Sequence, residues 1–224
     1  MPTIKNGTVA QVTAAQPVPQ TITGDSVAPQ NRPLPPKRLT NAERRSREHL
    51  TPAEVDILRH TAKTRDGRYG ERDALAILVM YRHGLRVIEL CRLTRPQVDF
   101  KEGVLHVNRV KNGRPSTQPL GGQEIRELKK LIREWPDGRF VFQNERGGPL
   151  TPAGFRKTLA RIGTASPLGF PVHPHMLRHA CGYYLANKGT DTRTLQQFLG
   201  HRNIAHTVRY TELDAGRFNG FWPD

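Results

Sequence analysis

The chain has 224 residues, enough for one compact domain with a real core but not for two large ones. Its 35 Lys and Arg against 20 Asp and Glu leave a formal net charge of +15, which favours a polyanionic partner, a class shared with ribosomal and membrane-surface proteins. Two cysteines, Cys91 and Cys181, rule out a disulfide framework and suit a reducing compartment, and the longest apolar run, 74–80, is too short to span a bilayer.

Residues 1–49 read as a disordered tail rich in Pro, Gln, Thr and Ala, without the periodic apolar content that would offset the entropy of ordering. A basic stretch near its end, Lys37, Arg38, Arg44 and Arg45, is either an arm against DNA phosphates or a solvated linker. Order is expected to begin at Thr51-Pro52-Ala53-Glu54, which combines an N-cap, a proline suited to the first turn and a glutamate able to close a capping box. The helix it opens should run to Lys63. Residues 71–82 are apolar nearly all round and predict a buried central helix with Gly84 at its C-terminal end, followed by a short helix over 86–93.

Residues 104–110 carry β-branched side chains, and Lys111-Asn112-Gly113-Arg114 offers an Asn-Gly turn, with 116–120 as the return strand of a hairpin. Ile125, Leu128, Leu131 and Ile132 recur at helical spacing before Pro136, and 140–142 reads as one further short strand. Thr151-Pro152 opens a helix carrying Phe155, Leu159 and Ile162. Three more helical segments follow: 175–188 ended by Gly189, 192–199 ended by Gly200, and a short one reaching Tyr210. The fold class predicted is therefore mainly α with a small antiparallel β-sheet, an α+β architecture.

Single Arg, His or Tyr residues on helices are ordinarily structural, so it is the ordered set that carries information. Gly84-Leu85-Arg86-Val87-Ile88-Glu89-Leu90 comes first, then Lys111 in the hairpin, then His175-Met176-Leu177-Arg178-His179, then Leu199-Gly200-His201 with Thr207 and Tyr210. In order and spacing this set resembles the tyrosine recombinases, also called the phage integrase family, and the resemblance covers the chain from about residue 50 to the C-terminus. It implies the catalytic-domain fold of that family over 50–224, including a C-terminal helix at 214–222. It also implies site-specific breakage and rejoining of double-stranded DNA through a 3′-phosphotyrosyl intermediate.

The chemistry explains the residue types. In-line attack on a phosphodiester spreads negative charge over two non-bridging oxygens, and Arg86 and Arg178, charged at any working pH, can hold them through paired N–H groups. His175, one turn before Arg178, and His201 would add hydrogen bonds or assist proton transfer. The resemblance implies that Tyr210 is the nucleophile, and surrounding positive charge would ease loss of its phenolic proton. By the same resemblance Lys111 is the acid that protonates the departing 5′-oxygen, and Glu89 orients an active-site cation. Arg109 and Arg114, beside the hairpin turn, are candidate DNA contacts, and no cofactor or metal is required.

Nothing before Thr51 resembles the helical DNA-clamping domain common in the family. Short forms of this kind resemble the recombinases that invert a promoter segment in fimbrial phase variation, a likeness reinforced by Arg82-His83-Gly84-Leu85-Arg86 and by the ending at 215–222. Phe218, Phe221 and Trp222 could form an apolar helical face; the resemblance implies docking onto a neighbouring subunit within a homo-tetramer on paired DNA sites, the alternative being packing onto their own domain. A cytoplasmic, nucleoid-associated protein is expected, with no membrane partner. Three rivals remain: a DNA-binding regulator that keeps the fold without strand transfer, a type IB topoisomerase, and a zinc site from His173, His175, His179 and Cys181. The last run matches no regular zinc spacing and has Arg178 in its midst. Inversion, integration and excision share one chemistry, so the residues do not separate them.

Overall fold

The start and stop signals legible in the sequence build the domain seen in the computed structural model, which describes residues 48–65, 67–110 and 113–212. Helix α1 (Pro52–Thr64) opens on a closed capping box: the Thr51 hydroxyl accepts from the Glu54 N–H at 3.3 Å, and the Glu54 carboxylate accepts from the Thr51 N–H at 2.8 Å. Helix α2 (Gly70–Arg82) is buried on every face from Ala74 to Met80, as its unbroken apolar run demands. The short α3 (Val87–Cys91) follows, and α4 (Gly122–Glu134) and α5 (Pro152–Ala165) complete the shell around α2 and α3. Helix α6 (Pro174–Asn187) lies against α2, and α7 (Thr192–Leu199) and α8 (Ala205–Thr211) pack on α6.

The sheet is small, with order β1-β2-β3 and antiparallel throughout: β1 (Val98–Asp99), β2 (Val104–Val107) and β3 (Ser116–Pro119). The mainly helical α+β class holds, with two local corrections. The strand expected over 140–142 forms no ladder. Phe140 makes an isolated bridge with Thr94, the Val141 N–H donates to Leu93 at 2.9 Å, and the buried Val141 and Phe142 fill the core in an extended conformation. The hairpin is also wider than an Asn-Gly turn would make it, because the last paired residues are Val107 and Ser116 and the ladder stops there. Beyond the ladder the Arg109 guanidinium turns into the protein and bonds the ends of α2 and α7.

The main core gathers around α2, and a second cluster of Cys181, Tyr183, Ala186, Leu195, Leu199 and Tyr210 binds α6, α7 and α8 together. The candidate site lies at the seam between the two. No helix among the described residues is long and apolar enough to cross a membrane. The tail expected over 1–49, apart from Glu48 and His49, lies outside the described residues, as do its basic residues Lys37, Arg38, Arg44 and Arg45, the hairpin residue Lys111 and the helix expected over 214–222.

Candidate active site

The C-terminal end of α2 sets the first half of the site. Its last turn closes in a Schellman pattern, with the Leu85 N–H donating to Met80 at 3.1 Å and residue 84 left-handed at φ 55°. Only glycine fits here. A Cβ at residue 84 would lie 2.5 Å from a Leu199 methyl group and 3.3 Å from the Cys181 sulfur. The turn aims the Gly84 carbonyl inward, where it accepts from Arg178 and, at 3.3 Å, from Arg109. Two residues later Arg86 stands as the N-cap of α3.

Glu89, one turn into α3, is the hub. Its carboxylate accepts from the Arg86 N–H at 2.8 Å, the Arg86 guanidinium at 2.8 Å, the Arg109 guanidinium at 2.9 Å and the Val110 N–H at 3.1 Å. Burial alone would raise this carboxyl, but the Arg109 charge and the bonds from Arg86 hold it below the usual carboxylate range. The Glu89 side chain is 1% exposed and that of Arg109 0%, whereas Arg86 keeps 23% of its side chain open toward solvent. One carboxylate therefore faces a cluster of three guanidinium groups, since Arg178 is close enough to act on it as well.

Arg178 comes from the middle of α6 and is 4% exposed. It donates to the Gly84 carbonyl and, at 2.8 Å, to the Leu199 carbonyl, and so ties the end of α2 to the end of α7. Burial first, and then repulsion from Arg86 and Arg109, pull it down to about 10, so it is still charged at neutral pH. His201, just past α7, turns Nδ1 to the buried Thr207 hydroxyl at 2.8 Å and stacks on the Tyr210 ring, centroids 6.2 Å apart. Burial, followed by the charges of Arg178 and Arg86, pushes it down to about 3, leaving a neutral ring. A cavity of about 630 Å³ opens beside these groups, lined among others by Arg86, Arg193, His201, Arg202 and His206.

Tyr210 on α8 is 2% exposed, and burial raises its phenol to about 12. The side chain lies edge-on to Tyr183, with centroids 5.0 Å apart, and its Oη is 2.8 Å from Nδ1 of His179. The structure thus brings Arg86, Glu89, Arg178, His201 and Tyr210 to one seam, with His175 on the exposed first turn of α6, one helical turn from Arg178. Arg109, a candidate DNA contact by its place beside the hairpin turn, is instead enclosed, bonded to Glu89 and to the carbonyls of His83, Gly84 and Phe198. Strand periodicity could have found this, because Leu105, Val107 and Arg109 alternate onto the same buried face. Arg114 is exposed. His179, which the sequence offers within the Arg178 motif and as a zinc-ligand candidate but without a role in strand transfer, meets the Tyr210 phenol. Among the described residues no group of three His, Cys, Asp or Glu side chains is placed to hold a metal ion.

A sequence profile of the phage integrase family matches residues 48–217. The type 1 fimbriae regulatory protein FimB of Escherichia coli strain K12 is 39% identical over 186 residues, covering 81% of this chain and 92% of that protein. Among solved structures, XerA recombinase superposes with a TM-score of 0.65 at 24% identity, covering 75% of this chain and 61% of that one. XerH site-specific recombinase bound to its difH substrate superposes with a TM-score of 0.66 at 23% identity, covering 77% of this chain and 52% of that one. The chain thus spans about three fifths or less of these two solved chains, and at such identities they bear on the fold alone.

Proposed function

The chain belongs to the phage integrase family, and from that premise we propose that it is a site-specific DNA recombinase that cuts and rejoins strands through a phosphotyrosyl bond at Tyr210. The observation that carries this reading is the charge imbalance at the seam. Arg86, Arg109 and Arg178 gather about the single carboxylate of Glu89, beside a cavity and next to Tyr210. Buried positive charge in such excess is costly unless an anion completes it, and a phosphodiester is the anion that fits two guanidinium forks.

In this reading Arg86, open to the cavity, and Arg178 hold the non-bridging oxygens. Glu89 aims the Arg86 guanidinium and Arg109 braces Glu89, so both act as positioning residues. His175 and the neutral imidazole of His201 contribute to holding the phosphate or to proton transfer. Lys111 delivers a proton to the departing 5′-oxygen, a role that rests on the family resemblance. Oη of Tyr210 attacks phosphorus to leave a 3′-phosphotyrosyl link and a free 5′-hydroxyl, and the retained bond energy makes the step reversible without ATP. No cofactor enters the chemistry.

Double-stranded DNA is the partner, held by the basic surface that includes Arg114 and, by charge, the segment carrying Lys37, Arg38, Arg44 and Arg45. Likeness to the fimbrial proteins favours inversion of a DNA segment, with a homo-tetramer on paired sites joined through the 214–222 segment, in a cytoplasmic, nucleoid-associated setting. The fimbrial relative is a regulatory protein by name, which favours one second reading: a DNA-binding regulator without strand transfer. Trapping on a nicked suicide duplex built from the DNA flanking the gene separates the two. The recombinase forms a covalent adduct that maps to Tyr210 and is lost in Tyr210→Phe, while DNA binding persists. Binding without any adduct in either strand orientation selects the regulator.

A further inference from the structure

The Tyr210 phenol ends on a group to which the motif reading assigns no chemistry. Oη lies 2.8 Å from Nδ1 of His179, which follows Arg178 on α6. The approach depends on residue 182 being glycine: a Cβ there would stand 2.8 to 2.9 Å from Cζ, Cε1 and Cε2 of the tyrosine ring. Tyr183 closes the seat on another side. Of the other histidines at the seam, His201 has turned Nδ1 to Thr207 and meets Tyr210 only by ring stacking.

A phenol this enclosed cannot hand its proton directly to bulk water, so cleavage needs an acceptor built into the protein. We propose that His179 is a catalytic residue of strand cleavage, its neutral imidazole taking the Tyr210 proton at Nδ1 as Oη attacks phosphorus. The proposal rests on the reading of Tyr210 as nucleophile. The step balances: the Oη–H bond breaks and its proton passes to Nδ1, the Oη–P bond forms, and the P–O5′ bond breaks while a separate acid protonates the leaving oxygen. Rejoining runs in reverse, with Nδ1–H returning the proton to Oη as the 5′-hydroxyl attacks.

The charged surroundings fit this task. Burial, then Arg209, His175 and Arg178, push His179 down to about 4, with Glu48 opposing, so the ring is neutral at neutral pH, and in its Nε2–H tautomer Nδ1 accepts from the Tyr210 hydroxyl. Tyr210 is held protonated by burial, with Tyr183 and Cys181 adding to the rise and Arg178 and Arg209 opposing it. Glu48 is paired with Arg209 at 2.5 Å and His49 stacks on Tyr183 at 4.1 Å, so the segment before α1 also faces the pair. A bound phosphodiester would offset the charge of Arg178 and make His179 more basic at the moment of attack.

The test is single-turnover cleavage of a nicked suicide duplex at saturating full-length protein, from pH 6 to 10, with the adduct located by peptide mapping. His179→Asn keeps an oxygen acceptor near the Nδ1 position but takes no proton; His179→Gln serves if the shorter side chain fails to fold. The expected result is unchanged DNA affinity and an adduct still at Tyr210. Cleavage should fall by roughly 10²-fold or more at pH 7, with a rate that climbs steadily with pH where the wild type is level. A variant profile parallel to that of the wild type, or a rate equal to or above it, overturns the proposal and leaves His179 as a structural seat. A wild-type adduct mapped to another residue removes the nucleophile reading itself, a failure distinct from the first.

Discussion

Replacing Glu89 by glutamine removes one negative charge from a site that holds a surplus of positive charge, with almost no change in volume. The carboxylate accepts four hydrogen bonds, two from guanidinium groups and two from backbone N–H groups. A glutamine presents one oxygen and one NH₂, so at least one donor faces another donor, and Arg109, wholly enclosed, loses its counter-charge. Breaking a buried ion pair from one side costs about 3–5 kcal/mol. For an ordered domain of this size that lowers the melting temperature by roughly 10 °C.

The pH dependence has a definite sign. The folded-state carboxyl of Glu89 is depressed, so its contribution is complete above the unfolded carboxyl value of about 4.3 and is lost as pH falls through the lower folded value. Wild type and Glu89→Gln should therefore differ most at neutral pH and converge in acid. Thermal unfolding followed by circular dichroism at pH 7 and across the acid range measures both quantities. A melting temperature within about 2 °C of wild type at pH 7, or a difference that grows in acid, would falsify the hub assignment.

Arg178→Ala removes the bonds to the Gly84 and Leu199 carbonyls and should cost about 2–4 kcal/mol in urea unfolding together with cleavage on the suicide duplex; a fully stable, active variant would contradict its placement. Arg114→Ala should lower the slope of log affinity against log salt by about 1, whereas the enclosed Arg109 contacts no phosphate, so Arg109→Ala should lose stability with the salt slope unchanged; equal slopes for the two would refute this division. Gly84→Ala places a methyl group against Leu199 at a left-handed position, so cleavage and stability should fall together, and a neutral result in both assays would show that the turn is not needed in this form. Tyr210→Phe gives up only the bond to His179, so unfolding should shift by about 1 kcal/mol while the adduct disappears completely.

Much of this was written locally. Thr51, Pro52 and Glu54 close the α1 cap because the box involves residues three apart, and the apolar run of α2 permits no orientation but a buried one. The glycines at 84 and 200 end helices where they were read to do so. The segment 140–142 was misread because a short apolar run does not say whether a neighbouring strand will pair with it; Val141 and Phe142 are buried by packing alone.

Helical order, the small sheet and the residues proposed to handle a phosphodiester are legible along the chain, because capping, periodicity and motif spacing act over a few residues at a time. How those residues answer one another across long separations follows from packing instead. Arg109 is an inward brace because the ends of α2 and α7 offer it carbonyls. Glu89 is a hub because Arg86 and the segment that follows β2 converge on it. Tyr210 meets His179 because α8 folds onto α6 where Gly182 leaves room. Burial, counter-charge and hydrogen-bond partner are properties of a packed site, and no short stretch of sequence contains them.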